Sequence, residues 1–307
     1  MKNKLILIGI ITLMCGILML NTNSVSAAKS KFTIKTIDGK KTLVKYNGKN
    51  KIVQVPKGVV EIGEFAFKNN KHIEKVKFSS TVTTIKHGCF ENCKKLKVVK
   101  FNKNLKRIID QPFRDCINLK KLRLNKNIKH ISEFGLIGMP NLEKITVAKQ
   151  NKYFKIYKGA LYSKNMKELL IYPGKAKKRK EFIISKKTRF VNACAFSNNK
   201  YLKKIVVKNS VAIGEDAFDS MKALKTVIFE KPYRVSGEFH NCKNLTTVKL
   251  AEGTEQICEE QFYGCKNLTA INFPNSLKFI GKNAFKGCTK LVLPEFADTI
   301  TVEKPIR

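Results

Sequence analysis

The residues of this 307-residue chain best suited to catalysis or metal binding are four histidines and nine cysteines. His72, His87, His130 and His240 lie far apart, and none has a His or Cys neighbour at the short interval a zinc site uses. No Cys-x-x-Cys occurs, and the tightest pair, Cys89 and Cys93, has the wrong spacing for a metal clamp. A Gly-x-Ser-x-Gly elbow, a phosphate-binding loop, a dinucleotide fingerprint and a His-Glu-x-x-His helix are all missing. Cys116 and His130 could serve as a nucleophile and base, but a repeated pattern accounts for both positions. The expectation is a protein that is not an enzyme and holds no cofactor or metal.

Charge is the second chemical signal. Lys and Arg number 61 against 23 acids, a formal net charge of +38. Lys2 and Lys4 lie in an N-terminal leader without acids, so the remaining chain keeps 38 − 2 = +36. Such a charge favours anionic partners: acidic glycans, wall polymers or an acidic host surface or matrix protein. Only seven of the basic residues are Arg and Asn is plentiful, a pattern that a general drift towards Lys and Asn also produces. Scarce Arg disfavours nucleic acid, whose bidentate readout uses the guanidinium fork.

These residues sit on a repeated stretch, of which Ile85 to Phe101 is a good copy. Phe67, Phe90 and Phe113 are spaced by 23 residues, and Leu136 takes the same place 23 residues on. The period resumes at Phe196, Phe218, Phe239, Phe262 and Phe285. Six residues after each anchor comes Leu or Ile, and three further a Val, Ile or Leu in eight of the nine copies. Self-similarity at this spacing marks a solenoid, whose small units bury their apolar faces only against neighbours. Leu-x-x-Val-x-Phe ends in strand-like alternation, and the preceding apolar residues, spaced by three and four, predict a helical turn or short helix.

The pattern resembles the BspA-like class of leucine-rich repeats of secreted and surface proteins. Ile62-Gly63-Glu64-Phe65-Ala66-Phe67, Ile213-Gly214-Glu215-Asp216-Ala217-Phe218 and Ile280-Gly281-Lys282-Asn283-Ala284-Phe285 carry that resemblance. It implies an α/β repeat solenoid, a leucine-rich-repeat array of about nine coils of about 23 residues with a parallel sheet on one face. It also implies a binding or adhesion role without catalysis, secreted or at the cell surface. A passive wall-associated structural protein, held by charge, is the rival reading.

Residues 1–27 read as a signal peptide, with Leu5 to Leu20 as the apolar run and Val25-Ser26-Ala27 before the cut. After cleavage no transmembrane segment is expected, and the protein is expected to be a monomer. Residues 28–58 form an N-terminal β cap, 59–147 repeats one to four, and 188–294 repeats five to nine, followed by a tail over 295–307. Between them, residues 148–187 hold a β-hairpin insertion that resembles the Leu-Tyr…Tyr-Pro excursion of the same family, with Lys158 where that pattern usually has Asp. Its Tyr157, Tyr162 and Tyr172, with Lys177, Lys178, Arg179 and Lys180, could grip a glycan or stack on bases. The plainer reading packs the tyrosines on the array and leaves the lysines as a solvated turn.

If Val99 and Phe101 face inward, Lys100 faces outward, and the equivalent places elsewhere hold Lys75, Lys77, Lys121, Arg123, Lys144, Lys204 and Lys249. They form the candidate ligand face, a ladder basic in the first five copies. Eight cysteines remain after the leader. Cys93, Cys116, Cys242, Cys265 and Cys288 share one repeat place with Asn70, Met139, Asn199 and Met221, which predicts buried free thiols in an apolar slot.

Overall fold

The computed structural model describes residues 30–176, 179–233 and 239–306. The leader therefore lies outside the described residues.

Most coils of the described residues make two strands. The longer, such as Lys75–Lys77, Val98–Lys100, Lys121–Leu124 and Lys204–Val207, carries the alternating segment. The shorter, such as Glu61–Ile62, Thr84–Ile85, Arg107–Ile108 and His130–Ile131, begins the Ile-Gly segment. Both kinds stack in parallel register one coil apart: Val76 opposes Val99, and Ile62 opposes Ile85. The parallel sheet expected on one face is thus accompanied by a second ladder on the other.

The helical turn expected around the anchor is not a helix. It is a chain of tight turns closed by i to i+3 bonds, such as Ala66 N to Gly63 O at 3.3 Å and Asn70 N to Phe67 O at 3.1 Å. Left-handed residues two before and two after the anchor, Phe65 at φ 55° and Asn69 at φ 61°, stop helical propagation. Spacings of three and four suit turns of this kind as well as a helix, so the pattern alone could not separate them. The glycine after Ile is set by close approach. A Cβ on Gly281 would lie 2.4 Å from Glu259 N, and one on Gly214 2.6 Å from Ala193 N.

Every anchor is buried, and the rings stack along the axis. Phe67 and Phe90 lie 4.7 Å apart at 11°, Phe218 and Phe239 5.0 Å at 6°, and Phe262 and Phe285 5.6 Å at 4°. Tyr46 and Tyr172 take the anchor place in two further coils, tilted against Phe67 at 5.3 Å and stacked on Phe196 at 5.7 Å. The array therefore has about eleven turns rather than nine. The N-terminal cap is the antiparallel pair Phe32–Ile37 and Lys40–Tyr46, as expected. The tail is more than a tail: Thr301–Val302 extends the short-strand ladder from Phe279–Ile280, and Ile306 O accepts from Phe285 N at 3.0 Å.

The insertion is a three-stranded antiparallel sheet, Phe154–Tyr157, Ala160–Ser163 and Glu168–Ile171, whose last strand runs parallel to Phe190–Val191. Both faces are buried. Ala160, Tyr162 and Leu169 join the apolar cluster of the C-terminal coils, while Leu161 and Leu170 join that of the N-terminal coils. The insertion thus separates two cores, with period-2 alternation sorting its residues between them.

Candidate functional site

Inward residues of the longer strands, Val76, Val99, Leu122 and Ile145, are buried, which turns the intervening side chains outward. Lys77 stands beside Lys100, and Lys75 beside Val98, in direct strand register. Lys121 stands beside Lys144, and Arg123 beside Thr146. Between these two pairs the ladder opens. Val98–Lys100 pairs back to Lys75–Lys77 but not forward to Lys121–Leu124, so two separate sheets meet here.

The opening is a concavity of about 790 Å³ lined by Lys97, Val98, Lys100, Lys120, Lys121, Arg123 and Lys144, with Val99 and Leu122 at its base. A second hollow of about 490 Å³ continues from it and shares Arg123 and Thr146. The sequence pattern did not single out Lys97 and Lys120. They stand seven residues after their anchors, in a column running Glu74, Lys97, Lys120, Glu143. Each pairs with the acid beside it, Lys97 to Glu74 at 2.8 Å and Lys120 to Glu143 at 3.6 Å. Among the described residues no ion pair engages Lys75, Lys77, Lys100, Lys121, Arg123 or Lys144. Four cations without acid partners, Lys100, Lys121, Arg123 and Lys144, therefore line one hollow, with Lys75 and Lys77 on the strand beside it.

Lys204 and Lys249 do not join them. Lys204 sits in the column Glu181, Lys204, Thr226, Thr247 and pairs with Glu181 at 3.2 Å. Lys249 ends the adjacent column, beside Ile228. The outward places there are otherwise apolar or hydroxylated, with Ile183, Val206 and Ile228 aligned in register.

The secondary patch does not form a surface. Tyr162 and Tyr172 are 0% and 2% exposed, so they belong to the core, and burial raises the hydroxyl pKa of both. Tyr157 is half-buried and meets Tyr162 edge to face at 5.9 Å. Arg179 is exposed and donates from Nε to Lys158 O at 3.1 Å; Lys180 is exposed, and Lys177 and Lys178 lie outside the described residues. The tyrosines were ambiguous in sequence because an inserted sheet buried on both faces reads like an excursion with aromatic decoration.

The five cysteines of the shared repeat place, Cys93, Cys116, Cys242, Cys265 and Cys288, are buried and form no disulfide. Their slot is not merely apolar. Cys93 Sγ donates to Phe67 O at 3.0 Å, and Cys116, Cys242, Cys265 and Cys288 make the same bond to the preceding coil's anchor at 3.1 Å. Asn70 Nδ2 reaches Gly48 O at 3.0 Å, and Asn199 Nδ2 reaches Pro173 O at 3.3 Å, from that slot. The shared feature is a donor, which the alternation of Cys with Asn signalled and Met139 and Met221 obscured. Desolvation pushes the Cys93 and Cys242 thiols up to about 12, far from a reactive thiolate.

With this geometry in view, comparison with protein families matches residues 42–169 and 175–292 to the BspA type leucine-rich repeat region, in 6 copies. The chain belongs to this family. Comparison with curated proteins finds no match. Among solved structures it is similar to a leucine-rich repeat protein from Eubacterium ventriosum, at 25% identity over 89% of this chain and 91% of that one, with a TM-score of 0.66. It is also similar in fold to the pneumococcal vaccine antigen PcpA, at 18% identity, TM-score 0.52 and 89% coverage of both chains. The repeat and its stacking from coil to coil are therefore those of a BspA-type array. Function in such arrays resides in what the outward positions carry.

Proposed function

We propose that this BspA-type protein is a non-catalytic, secreted or surface-held binding protein, and that the basic face of its N-terminal coils captures an acidic polymer. The observation that carries the reading is the hollow between Val98–Lys100 and Lys121–Leu124, where Lys100, Lys121, Arg123 and Lys144 have no acid partner among the described residues. Like charges about 5 Å apart repel by only about 0.8 kcal/mol in water, so the fold tolerates the ladder unliganded. Clustering them on one half while the other half pairs its Lys204 and Lys208 is what a polyanion site requires. The ligand class is an acidic glycan, an anionic wall polymer or an acidic host surface protein. Lysine is suited to it as a point charge that follows a flexible chain without fixed geometry.

The leader reading places the protein outside the cytoplasm, where such polymers occur. The test is binding of the mature chain to heparin, polyglutamate and an acidic wall polymer across a salt series. Affinity should fall steadily as salt rises, because bound counterions are released on association. Salt-independent binding would reject the reading.

A further inference from the structure

The basic hollow is not lined by cations alone. Val98 stands on its wall and is 39% exposed, and Val99 and Leu122 close its base. Val98 shares a strand column with Lys75 and with Ile52, which is 59% exposed. A single exposed apolar side chain is ordinary and needs no explanation. Two of them alternating with a lysine, on the column that leads into a hollow with an apolar base, make a mixed surface of charge and hydrocarbon.

The parted strands add main-chain groups to that surface. On either side of the hollow, neighbouring coils are closed by a pair of donors. Lys97 N and Val98 N reach Glu74 O at 2.9 and 3.1 Å, and Glu143 N and Lys144 N reach Lys120 O at 2.8 and 3.2 Å. Across the hollow, among the described residues, Lys120 N and Lys121 N make no such bond to Lys97 O. All three residues line the space, so two donors and one carbonyl are left for a ligand to meet.

Resting on the polyanion reading, we infer that the hollow takes an acidic segment of a partner protein. One apolar side chain of that segment seats on Val98 above Val99 and Leu122, and flanking carboxylates meet Lys100, Lys121, Arg123 and Lys144. A peptide offers the three features the hollow asks for: carboxylates, an apolar side chain, and a main chain that both donates and accepts. A sulfated glycan or a phosphate-linked wall polymer satisfies the cations but sets hydroxylated or charged groups against Val98. An uncharged apolar ligand leaves the cations unanswered.

The test is amide NMR on the mature chain, titrated with two peptides of equal charge, Ac-Glu-Glu-Leu-Glu-Glu-NH2 and Ac-Glu-Glu-Gly-Glu-Glu-NH2. Heparin serves as a polyanion without apolar side chains. The Leu peptide should shift the Lys120 and Lys121 amides saturably and bind at least about fivefold tighter than the Gly peptide, the effect of partly burying one Leu side chain. Val98→Thr, which keeps the branched shape and replaces a methyl by a hydroxyl, should bring the ratio of the two affinities towards one. Equal affinity of the two peptides, a ratio that Val98→Thr leaves untouched, or shifts centred away from the hollow would overturn the inference and leave the polyanion reading standing. Loss of all salt-sensitive binding, heparin included, would overturn that reading and the inference together. The peptide pair needs no variant, so it decides the matter should Val98→Thr not fold.

Discussion

The outward places of the longer strands differ sharply between the two halves of the array. In the N-terminal half they carry Lys75, Lys77, Lys100, Lys121, Arg123 and Lys144, without acid partners among the described residues. In the C-terminal half the aligned places hold Ile183, Val206, Ile228 and a single Lys249 in one column, and Thr226 and Thr247 with a neutralised Lys204 in the other. The inward places of both halves follow one pattern: an anchor that is Phe in most coils and Tyr or Leu in the others, then a Leu or Ile and a Val, Ile or Leu, nearly all of them buried. Folding constrains the inside of a solenoid coil by coil, whereas the outside is free to diverge, and here it has diverged by halves.

The largest effects should come from the shared inside. Phe90→Ala and Phe262→Ala should each cost about 3–5 kcal/mol in denaturant unfolding, one in each core. Leu136→Ala, at the junction where no ring is stacked, should fall nearer about 2–3 kcal/mol. Equal losses at all three would break the distinction between regular coils and the junction.

Buried thiols add a pH dependence to both halves. Burial raises the folded pKa of Cys93 and Cys242 from 9.0 to about 12. Their stabilising contribution is complete below the unfolded value near pH 9 and is lost as pH rises towards 12, because only the unfolded chain releases these protons. Each such thiol should lower stability by about 1.4 kcal/mol per pH unit above pH 9. Cys242→Met, which copies the Met221 of the same slot, should flatten the alkaline slope by one thiol's share. An unchanged slope in chemical denaturation between pH 9 and 11 would contradict the buried assignment.

A smaller effect belongs to the N-terminal half alone. Glu61 is buried, which would raise its pKa, but hydrogen bonds and attraction from Lys86 and Lys40 outweigh burial and lower it. Its contribution is present above the unfolded pKa near 4.5 and fades as pH falls below it. Glu61→Gln should cost about 1 kcal/mol near neutrality and less in acid, read from melting curves at both pH values.

The array itself was legible because Phe67, Phe90 and Phe113 repeat without a gap and each must be buried. Tyr46 and Tyr172 were not recognised as anchors because a tyrosine and an irregular spacing broke the pattern on which the register depended. The closing coil at Thr301–Val302 was missed for a related reason: it has the strand of a coil without its anchor. Turns were read as helix because left-handed residues such as Phe65 and Asn69 carry no spacing signal. Strand alternation accounts for which side chains of the longer strands are buried and which lie outside. It could not show that the sheet parts between Val98–Lys100 and Lys121–Leu124, since register between coils is a tertiary property. Nor could it show that Glu181, on an unrecognised coil, neutralises Lys204.

The most direct test sets one half against the other in a single binding experiment. Lys100→Glu with Arg123→Glu should abolish salt-sensitive binding of the mature chain to an acidic polymer such as heparin, while Lys204→Glu with Lys249→Glu should leave most of it intact. Equal loss from both pairs, or binding that survives the first, would contradict the assignment of the ligand to the N-terminal hollow.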